Sequence, residues 1–415
     1  MTSRLPALAH RDFVLLWVGN IVSRTGTQMR DVALAWQVYL LTRSEVAVGM
    51  LAACRVVPIL LLAIAGGVVA DAVDRRRLMI VTQAILAGTS VLLALATRGG
   101  WASPPLLYLL VGLASTATAF DNPARQSLTV NLLPPDALAN GITLGIVGWQ
   151  TATTIGPAIG GLILARSIEA IYWIDAVSFS GVIVALLVMR HRHPPRVEGS
   201  PGLRERISVR AAIEGFRFLL GMPALMWLMA IDFLATFFGG ATLLMPFFAD
   251  QVFHVGPQGL GLLNSAPATG SLLASLVLLW RKPVERQGMA VIVAAALYGL
   301  CMALFGVTDH FALALGLLAG AGAADTVSTV VRQVVRQTMT PDALRGRMTS
   351  ITMMFFMSGP QLGEVEASLV AAATSVRVSA LTGGLACVLC ALSIGLCARS
   401  VRALRANPPK PPAPA

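Results

Sequence analysis

Asp121 and Arg125 stand four residues apart in a stretch that is otherwise uncharged. On a helix that spacing puts a carboxylate and a guanidinium on one face, within pairing reach. Asn122-Pro123 between them loosens the backbone. Asp325 and Arg332, seven apart, repeat the theme later in the chain. Near the start, Asn20, Ser23, Arg24, Thr27, Gln28, Arg30, Asp31 and Gln37 fall within one half of a helical wheel at about 100° per residue. Apolar residues fill most of the other half. Arg55, Asp232, Glu364 and Glu366 each sit among apolar neighbours. A carboxylate that can titrate beside a guanidinium that can pair with it is the equipment for moving protons and charged ligands, and in apolar surroundings each such group is costly enough to need a reason. For Asp31 two readings stand. One is a structural ion pair with Arg24 or with a base on another helix; the other is a polar stripe facing a watery central cavity. Glu364 and Glu366, two apart, cannot share one face, so one can titrate while the other packs near Gly363.

Enzyme chemistry is not expected from these residues. His10, His191, His193, His254 and His310 fall in loops or at segment ends, and neither His-Glu-x-x-His nor Gly-x-Ser-x-Gly occurs. A phosphate-binding loop needs glycines followed by lysine; Lys282 and Lys410 lie in unsuitable contexts. No nucleotide, metal or other cofactor is expected. Cys387-x-x-Cys390 has redox spacing but neither a βαβ setting nor polar ligands, so it reads as core packing, like Cys54, Cys301 and Cys397.

The elements that position these groups are long apolar segments. Hydrophobic residues make up 56% of the 415 residues and charged residues only 12%, against about 25% charged in soluble domains. Charge-free runs at 78–97, 106–120, 288–308 and 378–398 compare with the roughly 20 residues that cross a hydrocarbon core. Helices are predicted at 13–40, 46–70, 78–97, 105–130, 140–165, 168–190, 223–250, 257–280, 287–307, 310–336, 348–373 and 377–398. The fold class is therefore an all-α polytopic membrane protein of twelve transmembrane helices. The first segment is long, carries internal charges and lacks a small-residue cleavage site, so no cleavable signal is expected. The net charge of +11 is no nucleic-acid footprint, because basic residues cluster in alternate loops: Arg4 and Arg11, 75–77, 190–217, 281–286, Arg345 with Arg347, and 399–410. The intervening loops hold single arginines (Arg43, Arg98, Arg166, Arg377) or none. This positive-inside asymmetry puts both termini in the cytoplasm.

The chain also repeats itself. Asn131-Leu-Leu-Pro-Pro-Asp-Ala-Leu138 lies over Gln337-Thr-Met-Thr-Pro-Asp-Ala-Leu344 at an offset of 206 residues, which also lays Arg75 and Arg76 over Arg281 and Lys282. Arg125-Gln126 and Arg332-Gln333 agree with one residue inserted. Two same-orientation halves are implied, 1–190 and 223–400, forming six-helix bundles related by a pseudo-twofold axis, a plan that places a substrate site between them. Residues 191–222 read as a cytoplasmic linker whose 204–220 stretch is a basic amphipathic helix. The proline-rich 401–415 reads as a disordered cytoplasmic tail.

The run Gly66-Gly67-Val68-Val69-Ala70-Asp71-Ala72-Val73-Asp74-Arg75-Arg76-Arg77 resembles the loop between helices two and three of the major facilitator superfamily. The resemblance implies a gate latch formed by Gly67, Asp71, Arg75 and Arg76. Ala72 stands where the family usually has a base, and Asp74 where it often has glycine. Helix five carries Gly148 and then Gly156-Pro157-Ala158-Ile159-Gly160-Gly161, which resembles the motif of exporters and antiporters with Ala152 replacing one glycine. Gly359-Pro360-Gln361-Leu362-Gly363 on helix eleven is related. With Gly215-Phe216-Arg217-Phe218-Leu219 and the 358–366 run, nearly the whole chain is similar to the enterobactin-exporter and macrolide-efflux branch. That resemblance implies efflux of a small amphiphilic molecule, siderophore- or drug-like, across the bacterial inner membrane by a monomeric proton antiporter seated in the lipid bilayer. An importer or uniporter of the same fold, or a non-transporting membrane sensor, are the alternatives. It also implies that Arg125 matches a helix-four arginine tied to proton coupling, with a conformational salt bridge as the other reading. Phe237, Phe238, Phe247, Phe248 and Trp149 are candidates for apolar walls. Asp71 is expected to meet the first turns of helix eleven, beside Arg345 and Arg347.

Overall fold

Apolar helices joined by short turns need little beyond a cap at each end, and the chain supplies them. Ser44, Ser167 and Ser375 accept the backbone N–H three residues on, and Asp74 accepts those of Arg76 and Arg77. Pro104, Pro135 and Pro223 open helices where a missing N–H costs nothing. Arg43, at φ 50°, closes the first helix in the left-handed region. The computed structural model describes residues 6–190, 219, 221–280, 284–340 and 345–405, without the side chains of 63, 64, 68, 71, 130 and 345–357. Apart from Leu219, the expected interfacial helix at 204–220 lies outside these residues, as does the tail from 406.

The helices are α1 (Arg11–Thr42), α2 (Glu45–Ala72), α3 (Arg75–Arg98), α4 (Pro104–Asn131), α5 (Pro135–Leu164), α6 (Ile168–Val188), α7 (Pro223–Phe238), α8 (Gly256–Trp280), α9 (Gln287–Val307), α10 (Phe311–Met339), α11 (Arg345–Ala373) and α12 (Val376–Cys397). No strand occurs among the described residues. Of these segments eight are long and apolar enough to cross a membrane: α2, α3, α6, α8, α9, α10, α12, and α7 extended to Val252. Among the rest, α1 carries the polar stripe, α4 carries Asp121, Asn122 and Arg125, and α5 is rich in glycine and threonine. Their polar and small residues mark helices that do not present all their surface to lipid.

Two compact units divide the chain. The first draws on Met1–Ser208 and Leu243–Ser265, the second on Val209–Thr242 and Ala266–Ala415. In the first unit α2 packs on α4, α4 on α3, α3 on α6, α6 on α1 and α1 on α5. In the second, α10 packs on α9, α9 on α12, α12 on α7 and α7 on α11. With six added to each helix number, these four pairs repeat four of the five in the first unit. Outward residues such as Val177 (67% exposed) and Leu396 (74%) would be a liability in water and cost nothing in hydrocarbon. Cohesion between helices therefore comes from close packing and polar contacts rather than from apolar burial.

The expected continuous helix at 223–250 is broken. Helix α7 stops at Phe238, and after Gly239-Gly240 the chain continues through short turns at Thr242–Leu244 and Met245–Phe247 and a π-helical turn at Phe248–Val252. Tyr298 on α9 donates to the Gly239 carbonyl at 3.1 Å, satisfying an acceptor released from the ladder. A Cβ on Gly240 would stand 3.1 Å from the Gly363 carbonyl carbon, so a side chain there would crowd the backbone of α11. Phe247 and Phe248 are not cavity walls: both are wholly buried, Phe247 edge-on to Tyr39 at 4.7 Å.

Candidate functional site

The polar stripe of α1 divides along its two edges. At about 100° per residue Asn20, Arg24, Gln28 and Asp31 share one edge, while Thr27, Arg30 and Gln37 share the other. On this second edge Arg30 is 8% exposed and its Nη1 lies 3.2 Å from Asp175 Oδ2 on α6. Asp175, fully buried, also accepts from Ser90 on α3 at 2.6 Å and from Thr27 at 3.4 Å. Gln37 donates to Thr97 at 2.9 Å and accepts from Tyr172 at 2.6 Å. Arg30 therefore points into the packed interior between α1, α3 and α6, away from Arg24.

On the first edge Asp31 is shared by two bases, Arg55 of α2 at 3.2 Å and Arg30 at 3.5 Å. The partner on another helix is thus Arg55, and Arg24 does not pair with Asp31. The Arg55 contact is an ion pair whose N–H is not aimed at the oxygen. Asp31 keeps 30% of its side chain exposed, against 4% for Asp121 and none for Asp175. Asp121 and Arg125 pair along α4 as their spacing predicts, with Arg125 Nη2 and Nε at 2.6 and 2.9 Å from Asp121 Oδ2. Asp121 Oδ1 accepts from Thr82 at 2.8 Å and Gln83 at 2.9 Å on α3, and Arg125 Nη1 donates to Asn20. Arg24 lies over the Trp149 ring at 4.6 Å; among the described residues it has no carboxylate within ion-pair distance.

The glycines of helix five set this geometry. A Cβ on Gly148 would stand 2.8 Å from Ile21, and one on Gly156 would stand 2.6 Å from Gln28 Cβ and 3.0 Å from the Thr25 carbonyl. Gly160 lies against Met29, and Gly161, with Pro157, meets Gly261 at the start of α8. Small residues bring α5 against α1 and thereby lay Trp149 on Arg24. Helix α11 uses the same device on α7, Gly359 lying against Thr236 and Phe233.

In the second unit Asp232 on α7 pairs with Arg332 on α10 at 2.6 Å. Arg332 also donates to Ser328 at 2.8 Å and Thr329 at 2.9 Å. Arg332 is the repeat counterpart of Arg125, and both are paired, one to its own helix and one across helices. Asp325, also on α10, lies one helical turn before Thr329. Glu364, 8% exposed, sits on α11 where Gly240 packs, apart from the Asp232–Arg332 pair.

In the 66–77 loop, Gly66 rather than Gly67 makes the close approach: a Cβ on Gly66 would strike the α4 backbone at Ala119, whereas one on Gly67 meets nothing within 4 Å. Arg76 Nη2 caps the Leu187 carbonyl at the end of α6 at 3.0 Å, and Arg75 reaches the Ala70 carbonyl at 3.4 Å. Asp74, the departure from the family pattern, is the N-cap of α3. The Asp71 side chain and those of the first turns of α11 lie outside the described residues.

Sequence reasoning passed over Asp175, although the criterion that selects Asp232, a lone carboxylate in an apolar segment, selects it as well. It also passed over Tyr39, Arg43 and Asp250 within the first unit, where Arg43 Nη1 lies 2.7 Å from Asp250 Oδ2 and Tyr39 donates to the same oxygen. Only the folded chain brings those three together.

Residues 2–410 match the family described as transmembrane secretion effector. The chain is 23% identical over 405 residues to the enterobactin exporters EntS of Shigella boydii serotype 18 and Escherichia coli O1:K1, covering 97% of this chain and 95% of theirs. Among solved structures it is similar to a bacterial homologue of the human lysosomal transporter Spinster in an inward-facing, unoccupied conformation (TM-score 0.72, 17% identity, 96% of this chain and 99% of that one). It is likewise similar to the nucleoside transporter NupG (0.70, 15%, 94% and 99%). A helical membrane chain with charges paired within and between its helices, matched over nearly its whole length, belongs to the transmembrane secretion effector family of major facilitator superfamily transporters.

Proposed function

We propose that the protein exports a small amphiphilic molecule across the bacterial cytoplasmic membrane in exchange for protons. The observation that carries this is Asp31: more exposed than Asp121 and Asp175, and held between Arg55 and Arg30. Binding a proton there removes the negative charge that holds Arg55, so proton occupancy and the arrangement of α1 against α2 are linked, which is what coupling requires. Asp121–Arg125 and Asp232–Arg332, more deeply buried, hold their helices in register. In this reading twelve helices form two six-helix bundles, 1–190 and 223–400, related by a pseudo-twofold axis along the membrane normal and joined by the 191–222 linker, with both termini cytoplasmic and the protein a monomer. The matching helix neighbours, the 206-residue repeat and the alternation of basic loops support it. Accumulation of a compound panel in cells with and without the protein, each with and without a protonophore, is the test. Lower accumulation that the protonophore abolishes is expected. Export that ignores the protonophore would remove proton coupling, and no difference for any compound would remove export.

A further inference from the structure

Among the described side chains, four guanidiniums lie in the interiors of helices α1 to α6 of the first unit (Arg24, Arg30, Arg55, Arg125) against three carboxylates (Asp31, Asp121, Asp175), while Arg43 and Asp250 pair with each other. Arg30 is taken by Asp175 and Asp31, Arg55 by Asp31, and Arg125 by Asp121. Arg24 is the remaining charge. Asp121 cannot serve it: an ionised carboxylate offers about four lone-pair sites, and Asp121 already accepts from Thr82, Gln83, Arg125 Nε and Arg125 Nη2. Nor can Asn20, one turn before Arg24, since its carbonyl oxygen faces Arg125. A charge left half-buried among apolar helices without a counter-ion in contact is costly; Asp121 attracts Arg24 only at a distance, and the nearby Arg125 repels it more strongly.

We propose that Arg24, laid on Trp149, is an anion-reading subsite, and that the transported molecule carries a planar oxyanion, a carboxylate or phenolate, attached to an aromatic ring. This rests on reading the Asn20–Asp31 edge of α1 as part of the substrate path. The indole lies 4.6 Å from Arg24 Cζ, a contact that uses the guanidinium's carbon and leaves N–H donors free, a fork that fits a carboxylate with two parallel hydrogen bonds. Trp149 is itself 49% exposed, so its ring offers apolar area to an aromatic group next to that fork. The site is built rather than accidental: Gly148 precedes Trp149 and packs on Ile21, and Gly156 packs on Thr25 and Gln28, which fixes the indole against the turn of α1 that bears Arg24. A bound anion brings the four positive and three negative charges to balance. A cationic amphiphile of the same shape adds a fifth positive charge and is rejected.

The test uses the full-length protein in lipid nanodiscs without any gradient, so that it reads binding alone. Tritiated 2-naphthoate and its cationic isostere 2-naphthylmethylammonium are the probes, with wild type, Arg24→Gln, Arg24→Lys and Trp149→Leu compared by equilibrium binding. Naphthoate is expected to bind wild type, and the cation not to bind. Arg24→Gln should weaken naphthoate roughly ten- to hundredfold, the loss of one charge-assisted interaction. Arg24→Lys should fall between, because it keeps the charge and loses the fork, and Trp149→Leu should weaken binding while leaving the preference for the anion. Size-exclusion profiles and far-UV circular dichroism separate a binding loss from misfolding, and if Arg24→Gln does not fold, Arg24→Lys and Trp149→Leu carry the comparison. Equal binding of both probes, no binding of naphthoate to wild type, or naphthoate affinity unchanged in the folded Arg24 variants would overturn the assignment. Because no transport is measured, any of these leaves the exporter reading to its own assay.

Discussion

Intramembrane carboxylates in this chain look alike in sequence and differ in what surrounds them. Asp175 sees no solvent and is held by Arg30, Ser90 and Thr27; Asp31 keeps 30% of its side chain exposed between two arginines. Opposite phenotypes are expected. Asp175→Asn leaves Arg30 buried with half its compensation, and removing one partner of a buried pair costs about 3 kcal/mol or more, so thermal unfolding in detergent should shift down by several degrees. The double variant Arg30→Gln/Asp175→Asn should recover part of that loss, since no orphaned charge remains. Asp31→Asn, at a partly exposed carboxylate, should lower the unfolding temperature less than Asp175→Asn does yet lose protonophore-sensitive export. If instead Asp31→Asn is the unstable one and still exports, the two roles are reversed. The positions were open to sequence reasoning because an ionisable group in an apolar run needs a reason. The partners were not, because whether Asp31 meets Arg24 or Arg55 depends on how α1 and α2 are rotated in the bundle. No pattern along one helix records that rotation.

Helices in a membrane cannot rely on water to drive them together, so surface shape carries more of the packing. The motif on α5 was visible as glycines and a proline; that its partner is α1, and that the contact lays Trp149 on Arg24, was not. Gly156 and Gly67 provide a paired test. A side chain at Gly156 would stand 2.6 Å from Gln28 Cβ with backbone 3.0 Å behind it, whereas one at Gly67 meets nothing within 4 Å. Gly156→Val should therefore cost about 1–3 kcal/mol, the range for overpacking a fitted contact, seen as a lower unfolding temperature and reduced membrane abundance. Gly67→Ala should unfold like wild type. Export reduced in a stable Gly67→Ala protein would place the importance of that glycine in a state other than the one described. The break in α7 shows the converse limit on reading the chain. Gly239-Gly240 in an apolar run is compatible with a continuous membrane helix, and only Tyr298 and Gly363, distant in sequence, convert it into a stop.

At the scale of the whole molecule, hydropathy, the alternation of basic loops and the 206-residue repeat made the fold class legible before any coordinates, because the bilayer imposes length and charge rules on every segment at once. The same rules say little about the 66–77 loop, where one run of residues serves both topology and motion. Arg76 holds the end of α6 and Asp74 caps α3, so these side chains tie α3 to its own unit and keep the loop's positive charge on one side of the membrane. The Asp71 side chain lies outside those described. As a proposal it is the latch: an acid at the end of α2 that accepts hydrogen bonds from the first turn of α11, whose free N–H groups carry about half a positive charge, when the cytoplasmic side closes. A contact on the scale of a charge-assisted hydrogen bond, about 1–3 kcal/mol, would bias two states by roughly one to two decades. Asp71→Asn keeps the shape and loses the charge, so export should fall while membrane abundance and orientation stay as they were, because the three arginines that set topology remain. Arg76→Ala should behave differently, lowering abundance or thermal stability through the lost cap on α6. Full export by Asp71→Asn at equal abundance would leave the loop as a topology anchor alone and move the search for the gate to Arg43, Tyr39 and Asp250, a charged cluster that joins distant stretches of the first unit.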